Sequence, residues 1–194
     1  MTASLYQHRA SVKKIVIFGP ECSGKTTLAR QLANFFHTSW SPEFARPYLT
    51  YKNLIEQRDK HGIISLYEDI EPMAIGQMAM EDHAIACATN GMVFHDTNLL
   101  TNLVYSQYYF GKSPTWLAEM VRHRVYDGYL LMVPNLPWQA DGLRDRPHHR
   151  NELLEIFRQA LEQYHCCYAL VSATGQERFH EALKILQTWQ MVTA

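Results

Sequence analysis

Residues 15–27 read IVIFGPECSGKTT, and this stretch decides the fold. Gly19 to Thr26 fits the pattern GxxxxGK followed by Ser or Thr, which is typical of a phosphate-binding loop. The segment KKIVIF (13–18) before it predicts a buried strand, and KTTLARQLANFFH (25–37) after it predicts a helix. A chance match in an ordinary strand–helix turn is disfavoured, because strand, loop and helix follow in the order that the motif requires.

The residue types of this loop suit the binding of a triphosphate. Glycines let the backbone wrap around phosphate oxygens, and N–H groups at a helix N-terminus favour negative charge. Lys25 is expected to reach the β- and γ-phosphates, and the Thr26 hydroxyl to bind Mg²⁺. We therefore predict ATP and Mg²⁺ as cofactors, while the choice between ATP and GTP stays open. The predicted nucleotide-binding residues of the loop are Gly19, Glu21, Cys22, Ser23, Gly24, Lys25, Thr26 and Thr27.

The composition is that of a globular protein with a modest charge. The 194 residues are 47% hydrophobic and 19% charged, which predicts one domain over residues 1–194. A formal net charge of -1 gives no reason to expect nucleic acid or a membrane surface as a partner. No run of 18 apolar residues and no secretory signal is present, so we expect a cytoplasmic protein. The oligomeric state is open, with a homo-oligomer among the alternatives.

Apolar runs alternate with helical patterns along the chain. This alternation predicts an α/β protein of the P-loop NTPase fold, with a parallel β-sheet, helices on both faces and a lid segment. Strands are predicted at 13–18, 92–96, within 127–134 and at 166–173, and a short extended segment at 38–44; helices are predicted at 25–37, 71–89, 150–165 and 176–189. Cys166 and Cys167 fall in the last strand, HCCYALVSA, where we expect buried thiols.

Two acidic positions lie where such a sheet would place its site. Asp96 ends the strand MVFHD, and a carboxylate there can hold Mg²⁺, although it could instead cap the helix predicted over 97–109. Glu43 and Arg46 lie in PEFAR, after the second extended segment. A carboxylate at this edge can accept a proton from an attacking hydroxyl, and an arginine can bind a phosphate or an acceptor. The alternative is a surface i, i+3 ion pair.

The segment 134–150, PNLPWQADGLRDRPHHR, is long, proline-rich and basic, which favours a lid-like insertion. Arg144 and Arg146 are predicted to close over the nucleotide, with Arg144 also neutralising charge during phosphoryl transfer. Among the aromatic residues on the acceptor side, Tyr105 is predicted to contact the substrate, because a flat ring stacks well on such side chains. Ordinary core packing is the alternative for each single aromatic residue.

Four segments together resemble the ribosylnicotinamide kinase domain of the bacterial NadR proteins. They are GPECSGKTTLARQLANFF, PEFARPYL, FHDTNLLTNLVYSQYYFG and DGLRDRPHHRNELLEIFRQAL, and the resemblance extends over about residues 13–190. It implies a P-loop nucleoside-kinase-like fold and ATP-dependent phosphorylation of nicotinamide riboside to nicotinamide mononucleotide, in NAD salvage. It also implies roles for Lys25 and Thr26 at phosphate and Mg²⁺, for Asp96 near Mg²⁺ and the 5′-hydroxyl, for Glu43 and Arg46 at the acceptor, and for Arg144 in the lid.

The sequence departs from this pattern at three points. The HxGH signature of an adenylyltransferase domain is absent, so a second NAD-forming step is not expected. Pro42 stands where an aromatic residue precedes the Glu of the Glu–x–x–Arg segment, and Asn98 where an acidic residue is common. Both lie on the acceptor side, so a kinase for another nucleoside or vitamin-like alcohol stays an alternative, as does a regulatory P-loop ATPase. Whether Asp96 or Glu43 is the base is also open.

Overall fold

The computed structural model describes residues 12–55, 65–139 and 149–192. The strands are β1 (Lys13–Phe18), β2 (Trp40–Ser41), β3 (Met92–Asp96), β4 (Gly128–Met132) and β5 (Tyr168–Val171). The helices are α1 (Lys25–Phe35), α2 (Ala45–Ile55), α3 (Ile70–Ala86), α4 (Leu99–Phe110), α5 (Thr115–His123), α6 (Arg150–Gln163) and α7 (Gly175–Thr188), with a 3₁₀ turn at Tyr67–Asp69 before α3.

The five strands form one parallel sheet in the order β2-β3-β1-β4-β5. In this order β1 is central, with β3 on one side and β4 on the other. The register pairs Ile17 of β1 with Asp96 of β3. Because parallel strands end at the same edge, the loops after β1, β3 and β4 meet at one end of the sheet.

Helices cover both faces of the sheet, as predicted. Val16 and Phe18 of β1 point into one core, where Phe18 meets Phe157 of α6 edge to face at 4.7 Å between ring centroids. Ile15 and Ile17, the alternate residues, point into a second core built largely by α1 and α7. Every side chain from Ile15 to Phe18 is fully buried, which is why this strand is apolar without alternation. The predicted α/β class and P-loop fold are confirmed.

Two helices, α2 and α5, were not predicted. Residues 44–70 are rich in Tyr, Arg, Lys and Glu and carry Pro47, which obscures the helical pattern. Pro47 lies in the first turn of α2, where its missing N–H would have no partner within the helix. Two side chains of α2 bind Asp69: Lys52 Nζ lies 2.6 Å and the Tyr48 hydroxyl 3.0 Å from Asp69 Oδ1.

The prediction of buried thiols at Cys166 and Cys167 was wrong. The last strand begins at Tyr168, so both cysteines precede it; Cys166 is half-buried and Cys167 is exposed. The physical reason is that β5 lies at the edge of the sheet and pairs only with β4, which leaves Leu170 48% exposed. No helix among the described residues is long and apolar enough to cross a bilayer.

Candidate active site

The loop after β1 has the backbone that a phosphate-binding loop needs. Gly19 and Gly24 have φ of 127° and 82°, and Cys22 has φ of 56°. A Cβ on Gly19 would lie 2.9 Å from the carbonyl oxygen of Met132, so glycine is required both by its φ and by the close approach of β4. The helix α1 begins at Lys25, directly after this turn. Its first N–H groups therefore lie at the mouth of the loop.

The side chains of the loop hold its shape. Ser23 Oγ donates to the carbonyl oxygen of Pro20 at 2.7 Å, and Lys25 Nζ donates to the same oxygen at 2.8 Å. The ammonium group of Lys25 therefore lies across the loop. Its positive charge adds to the partial positive charge of the helix N-terminus. Such a site favours an anion, and a polyphosphate is the anion that this loop geometry fits.

Asp96 contacts the loop directly. Thr26 Oγ1 donates to Asp96 Oδ2 at 2.5 Å, a contact that follows from the pairing of Ile17 with Asp96. Asp96 is 2% exposed, and its other oxygen, Oδ1, is buried with no hydrogen-bond partner among the described residues. Burial, reinforced by the charge of Glu43, raises the pKa of Asp96 to about 6. A buried carboxylate with an unpaired oxygen fits a cation as its missing partner.

The alternative role of Asp96, capping the next helix, belongs to another residue. Asn98 Oδ1 accepts a hydrogen bond from Leu100 N at 3.2 Å, so Asn98 is the N-cap of α4. Asn98 Nδ2 also donates to the Tyr129 hydroxyl at 2.9 Å. Thr97 lies between Asp96 and Asn98, and its φ of 69° is strained for a β-branched residue. This turn separates the cap from Asp96 and leaves the carboxylate at the site.

Glu43 and Arg46 lie beside Asp96, so the structure brings these three predicted residues together with Lys25 and Thr26. The charges of Glu43, Lys25 and Arg46 all act on the pKa of Asp96, Glu43 raising it and the two cations lowering it. Arg46 Nε is 3.8 Å from Glu43 Oε2, and both side chains are partly exposed. The i, i+3 ion pair considered above therefore exists, but it lies beside the phosphate loop rather than on a remote surface.

The segment that carries Glu43 is held in place by α3, a contact that the sequence did not predict although it predicted the helix. Phe44 N donates to Gln77 Oε1 at 2.9 Å, and Gln77 Nε2 lies 3.5 Å from the carbonyl oxygen of Thr97. A Cβ on Gly76 would lie 2.1 Å from the Phe44 ring, so only glycine lets this ring rest on the helix. The sequence signal was a lone glycine in the middle of a helical pattern.

A buried polar cluster continues from Gln77 along α3. Gln77 Nε2 is 3.4 Å from Glu81 Oε1, and the Tyr126 hydroxyl donates to Glu81 Oε2 at 2.5 Å. Arg124 Nη2 lies 3.3 Å from the same oxygen and 2.5 Å from Asp82 Oδ1. Burial raises the pKa of Glu81 to about 7, although the hydroxyl and guanidinium groups oppose this. Nothing in the spacing of these residues predicted that they would meet.

His95 and Ser41 form the neighbouring polar contact. Ser41 Oγ and His95 Nδ1 are 2.8 Å apart, and the Tyr126 ring meets the imidazole edge to face at 5.8 Å between centroids. Burial, with help from the charge of Arg124, lowers the pKa of His95 to about 3. The imidazole is therefore neutral at physiological pH, and it connects the short strand β2 to β3 below the site.

Tyr105, predicted to contact the substrate, lies in α4 and is half-buried. Its ring stacks on Tyr109 at 5.8 Å and meets Phe157 edge to face at 5.4 Å. It therefore packs against the core of the first face, and its contact with a substrate stays a prediction. An open depression of about 460 Å³ lies along α2 and is lined by Phe44, Pro47, Tyr48, Tyr51, Lys52 and Ile55.

The predicted lid is described only at its two ends. Arg144 and Arg146 lie outside the described residues. At the near end Cys22 Sγ accepts from Gln139 N at 3.3 Å and lies 3.5 Å from the carbonyl oxygen of Pro137. At the far end Arg150 Nη1 donates to the carbonyl oxygen of Leu136 at 2.7 Å. Both ends of the insertion therefore lie next to the phosphate loop.

A family model described as an AAA domain (AAA_28) matches residues 14–178. The chain is also 30% identical over 154 residues to the trifunctional NAD biosynthesis/regulator protein NadR of Salmonella typhimurium strain LT2, an alignment that covers 76% of this chain and 36% of that protein. The chain therefore spans about a third of the length of this curated relative. The predicted resemblance to the NadR proteins is confirmed at this level of sequence similarity.

Solved structures show the same fold. A NadR protein in complex with NR is similar with a TM-score of 0.77 and 23% identity, over 95% of this chain and 53% of that chain. A NadR protein in complex with NAD and AMP-PNP gives a TM-score of 0.73 and 21% identity, over 95% of this chain and 51% of that chain. At these identities the likeness establishes the fold.

Proposed function

The chain belongs to this AAA domain family, and we propose that it is an ATP-dependent kinase for the 5′-hydroxyl of nicotinamide riboside, with nicotinamide mononucleotide as the product. The observation that carries the proposal is that the carboxylates of Asp96 and Glu43 both lie next to the phosphate loop. Thr26 hydrogen-bonds Asp96 at 2.5 Å, and the charge of Glu43 reaches the same carboxylate. The rings of Phe44, Tyr48 and Tyr51 follow Glu43 along the chain and offer a surface to an organic acceptor, which a protein that only hydrolyses ATP would not need.

On the nucleotide side, the loop Gly19–Thr27 is proposed to hold the phosphates of ATP through its N–H groups. Lys25 would contact the β- and γ-phosphates, and Thr26 and Asp96 would hold Mg²⁺. The unpaired Oδ1 of Asp96 supports this assignment, and so does the raised pKa of that carboxyl, which a cation would lower. No group of three or more His, Cys, Asp or Glu side chains that could cage a metal occurs among the described residues, which suits an ion shared with phosphates. When bound, Mg²⁺ would neutralise charge on the β- and γ-phosphate oxygens.

On the acceptor side, the substrate 5′-oxygen would attack the γ-phosphorus in line. A new O–P bond forms, the bond to the β-phosphate oxygen breaks, and the hydroxyl proton passes to a carboxylate. With Asp96 holding the metal, Glu43 is the base that we propose, and Arg46 keeps it in place through their ion pair. Lys25 neutralises the charge that develops on the transferred group, and Arg144 and Arg146 are proposed to close over it.

Nicotinamide riboside is the proposed acceptor because of the four sequence segments shared with the NadR proteins and the 30% identity to one of them. A relative of the same fold was solved in complex with NR. The open depression along α2 supports this choice, since its rings of Phe44, Tyr48 and Tyr51 suit a flat cationic base. We propose that the partner is this small nucleoside rather than nucleic acid or a membrane, and that the protein acts in the cytoplasm.

A direct assay tests the proposal. Purified protein is incubated with ATP, Mg²⁺ and nicotinamide riboside, and nicotinamide mononucleotide is measured by chromatography, with a Lys25→Ala variant as the inactive control. A panel of other nucleosides runs in parallel. Product from another nucleoside alone would replace the acceptor but keep the kinase. No product from any nucleoside, together with hydrolysis that a protein partner stimulates, would overturn the kinase in favour of a regulatory ATPase.

A further inference from the structure

A buried arginine in α7 ties together three loops at the end of the sheet where ligands bind. Arg178 is 6% exposed. Its Nη1 donates to the carbonyl oxygen of Ser23 at 2.9 Å, its Nε to the carbonyl oxygen of Ala173 at 3.0 Å, and its Nη2 to Asn135 Oδ1 at 3.0 Å. These three acceptors lie in the loops after β1, β5 and β4. One planar guanidinium therefore fixes the spacing of three separate loops.

The fit of Arg178 against the phosphate loop is close. A Cβ on Gly24 would lie 2.2 Å from Arg178 Nη1 and 3.2 Å from Leu136 Cδ1. Gly24 therefore leaves room for the guanidinium, in addition to adopting a φ of 82°. Arg178 has no carboxylate within ion-pair distance among the described residues, so its geometry is set by loop oxygens rather than by a salt bridge.

The loop after β5 is held from a second direction by the same helix. Glu181 Oε2 accepts hydrogen bonds from Ser172 N and Ala173 N, both at 2.8 Å. These N–H groups are thus occupied, and the carbonyl oxygen of Ala173 points to Arg178. Arg178 and Glu181, three residues apart on α7, therefore bind both the backbone N–H groups and a backbone carbonyl oxygen of this short loop. These hydrogen bonds leave its backbone little freedom.

The sheet order separates the acceptor side of the site from the side that is left for the base of the nucleotide. The phosphate loop follows the central strand β1. On one side of it, Glu43, the proposed base for the acceptor, follows β2, and Asp96, the proposed metal ligand, ends β3. Once the acceptor occupies that side, the base of the nucleotide is left with the opposite side, above β4 and β5. This is the side whose two loops Arg178 connects to the phosphate loop.

We propose that Arg178 is a positioning residue for the nucleotide base. It sets the distance between the phosphate loop and the loops after β4 and β5, between which the base lies. The inference rests on the proposed nucleotide site and deepens it. Arg178 acts through these loops. It therefore contributes to the binding free energy only of a ligand that contacts both the phosphate loop and the loops on the base side.

Calorimetric titration of ATP and of inorganic tripolyphosphate, each with Mg²⁺, separates this role from general support of the fold. In Arg178→Gln and Arg178→Lys we expect the Kd of ATP to rise about 10-fold, in line with the loss of one to three hydrogen bonds, while the Kd of tripolyphosphate changes less than about 2-fold. Equal losses for the two ligands would overturn the proposal, because they would place the effect in the phosphate loop alone. The Kd ratio within each variant does not depend on the folded fraction.

Two further variants complete the design. Asn135→Ala, at an exposed position, removes one acceptor of Arg178 together with the donation of Asn135 Nδ2 to the Ser172 carbonyl oxygen, which also connects the loops after β4 and β5. We expect an ATP-selective loss of about 3-fold; equal losses for the two ligands, or none, would contradict the proposal. Arg158→Gln is the control, since Arg158 lies in α6 and pairs with Glu155 and Glu162, two carboxylates of its own helix. An ATP-selective loss in this control as well would equally refute a role specific to Arg178. No acceptor nucleoside is present in the titrations, so a wrong acceptor assignment leaves their outcome unchanged.

Discussion

Substitution of Glu81 by Gln is expected to change how stability depends on pH. Burial raises the pKa of Glu81 from 4.5 to about 7 in the folded protein. The folded state therefore keeps a proton on this carboxyl at pH values where the unfolded chain has lost it. Stability is favoured on the acid side and is lost as pH rises through about 7. The groups facing Glu81 are Arg124, Tyr126 and Gln77, with Asp82 sharing the guanidinium.

The magnitude follows from the two pKa values. This difference in pKa corresponds to about 3 kcal/mol of unfolding free energy, most of which develops between pH 5 and pH 8. For a chain of this size this amounts to a shift of about 5–10 °C in melting temperature. A protonated glutamic acid and a glutamine are nearly isosteric, so the Glu81→Gln variant should match the wild type at pH 5 and gain relative stability at pH 8.

The assay is urea unfolding of wild type and Glu81→Gln at several pH values between 5 and 8, with the difference in unfolding free energy plotted against pH. Taking the difference removes the titration of His95 and Asp96, which is common to both proteins. Glu71→Gln is the matched control, because Glu71 is exposed on the same helix as Glu81 and should give a flat difference. A difference for Glu81→Gln that stays constant within about 0.5 kcal/mol over this range would refute the reasoning.

Three further predictions concern the site. Asp96→Asn should raise the Mg²⁺ concentration needed for half-maximal activity at least 10-fold, whereas Glu43→Gln should lower kcat about 100-fold and leave the Mg²⁺ requirement unchanged. Initial rates measured over a Mg²⁺ series distinguish the two effects. Identical Mg²⁺ profiles for the two variants would contradict the division of roles. Gly76→Ala should raise the KM of the acceptor about 10-fold and leave the KM of ATP within 2-fold, because the new Cβ would overlap the Phe44 ring at 2.1 Å. Alkylation of Cys22 should abolish ATP binding, because this residue lies inside the phosphate loop and its Sγ contacts the near end of the lid segment. Calorimetry with and without nucleotide protection tests this, and unchanged ATP affinity after complete labelling would remove this role.

The features that the sequence predicted well are local in the chain. The phosphate loop, β1 and α1 are consecutive, and their patterns of glycine and apolar residues need no distant partner to be recognised. Asp96 could be named because it ends an apolar strand. The sequence left open whether Asp96 caps α4; it could not decide in favour of Asn98, because caps of the same chemical type compete within one turn.

The features that were missed depend on contacts between distant segments. Gln77 holds Phe44 and Thr97, which lie 33 and 20 residues away. Arg178 holds Ser23 from 155 residues away. A polar residue on a helix is usually exposed, so no periodicity marks these two as buried. The cysteines before β5 were misplaced for a related reason, since an apolar run does not reveal whether its strand lies at the centre or at the edge of a sheet.

The amino-acid sequence by itself determined that this chain forms a phosphate-binding loop on a central buried strand, because the glycines, the lysine and the apolar run act through local backbone geometry. Only the tertiary structure decided what surrounds that loop. The sheet order β2-β3-β1-β4-β5 sets Asp96 and Glu43 on one side of it and the loops held by Arg178 on the other. Strand order is fixed by hydrogen bonds and packing between segments far apart in the chain, and those interactions form only when the whole core closes.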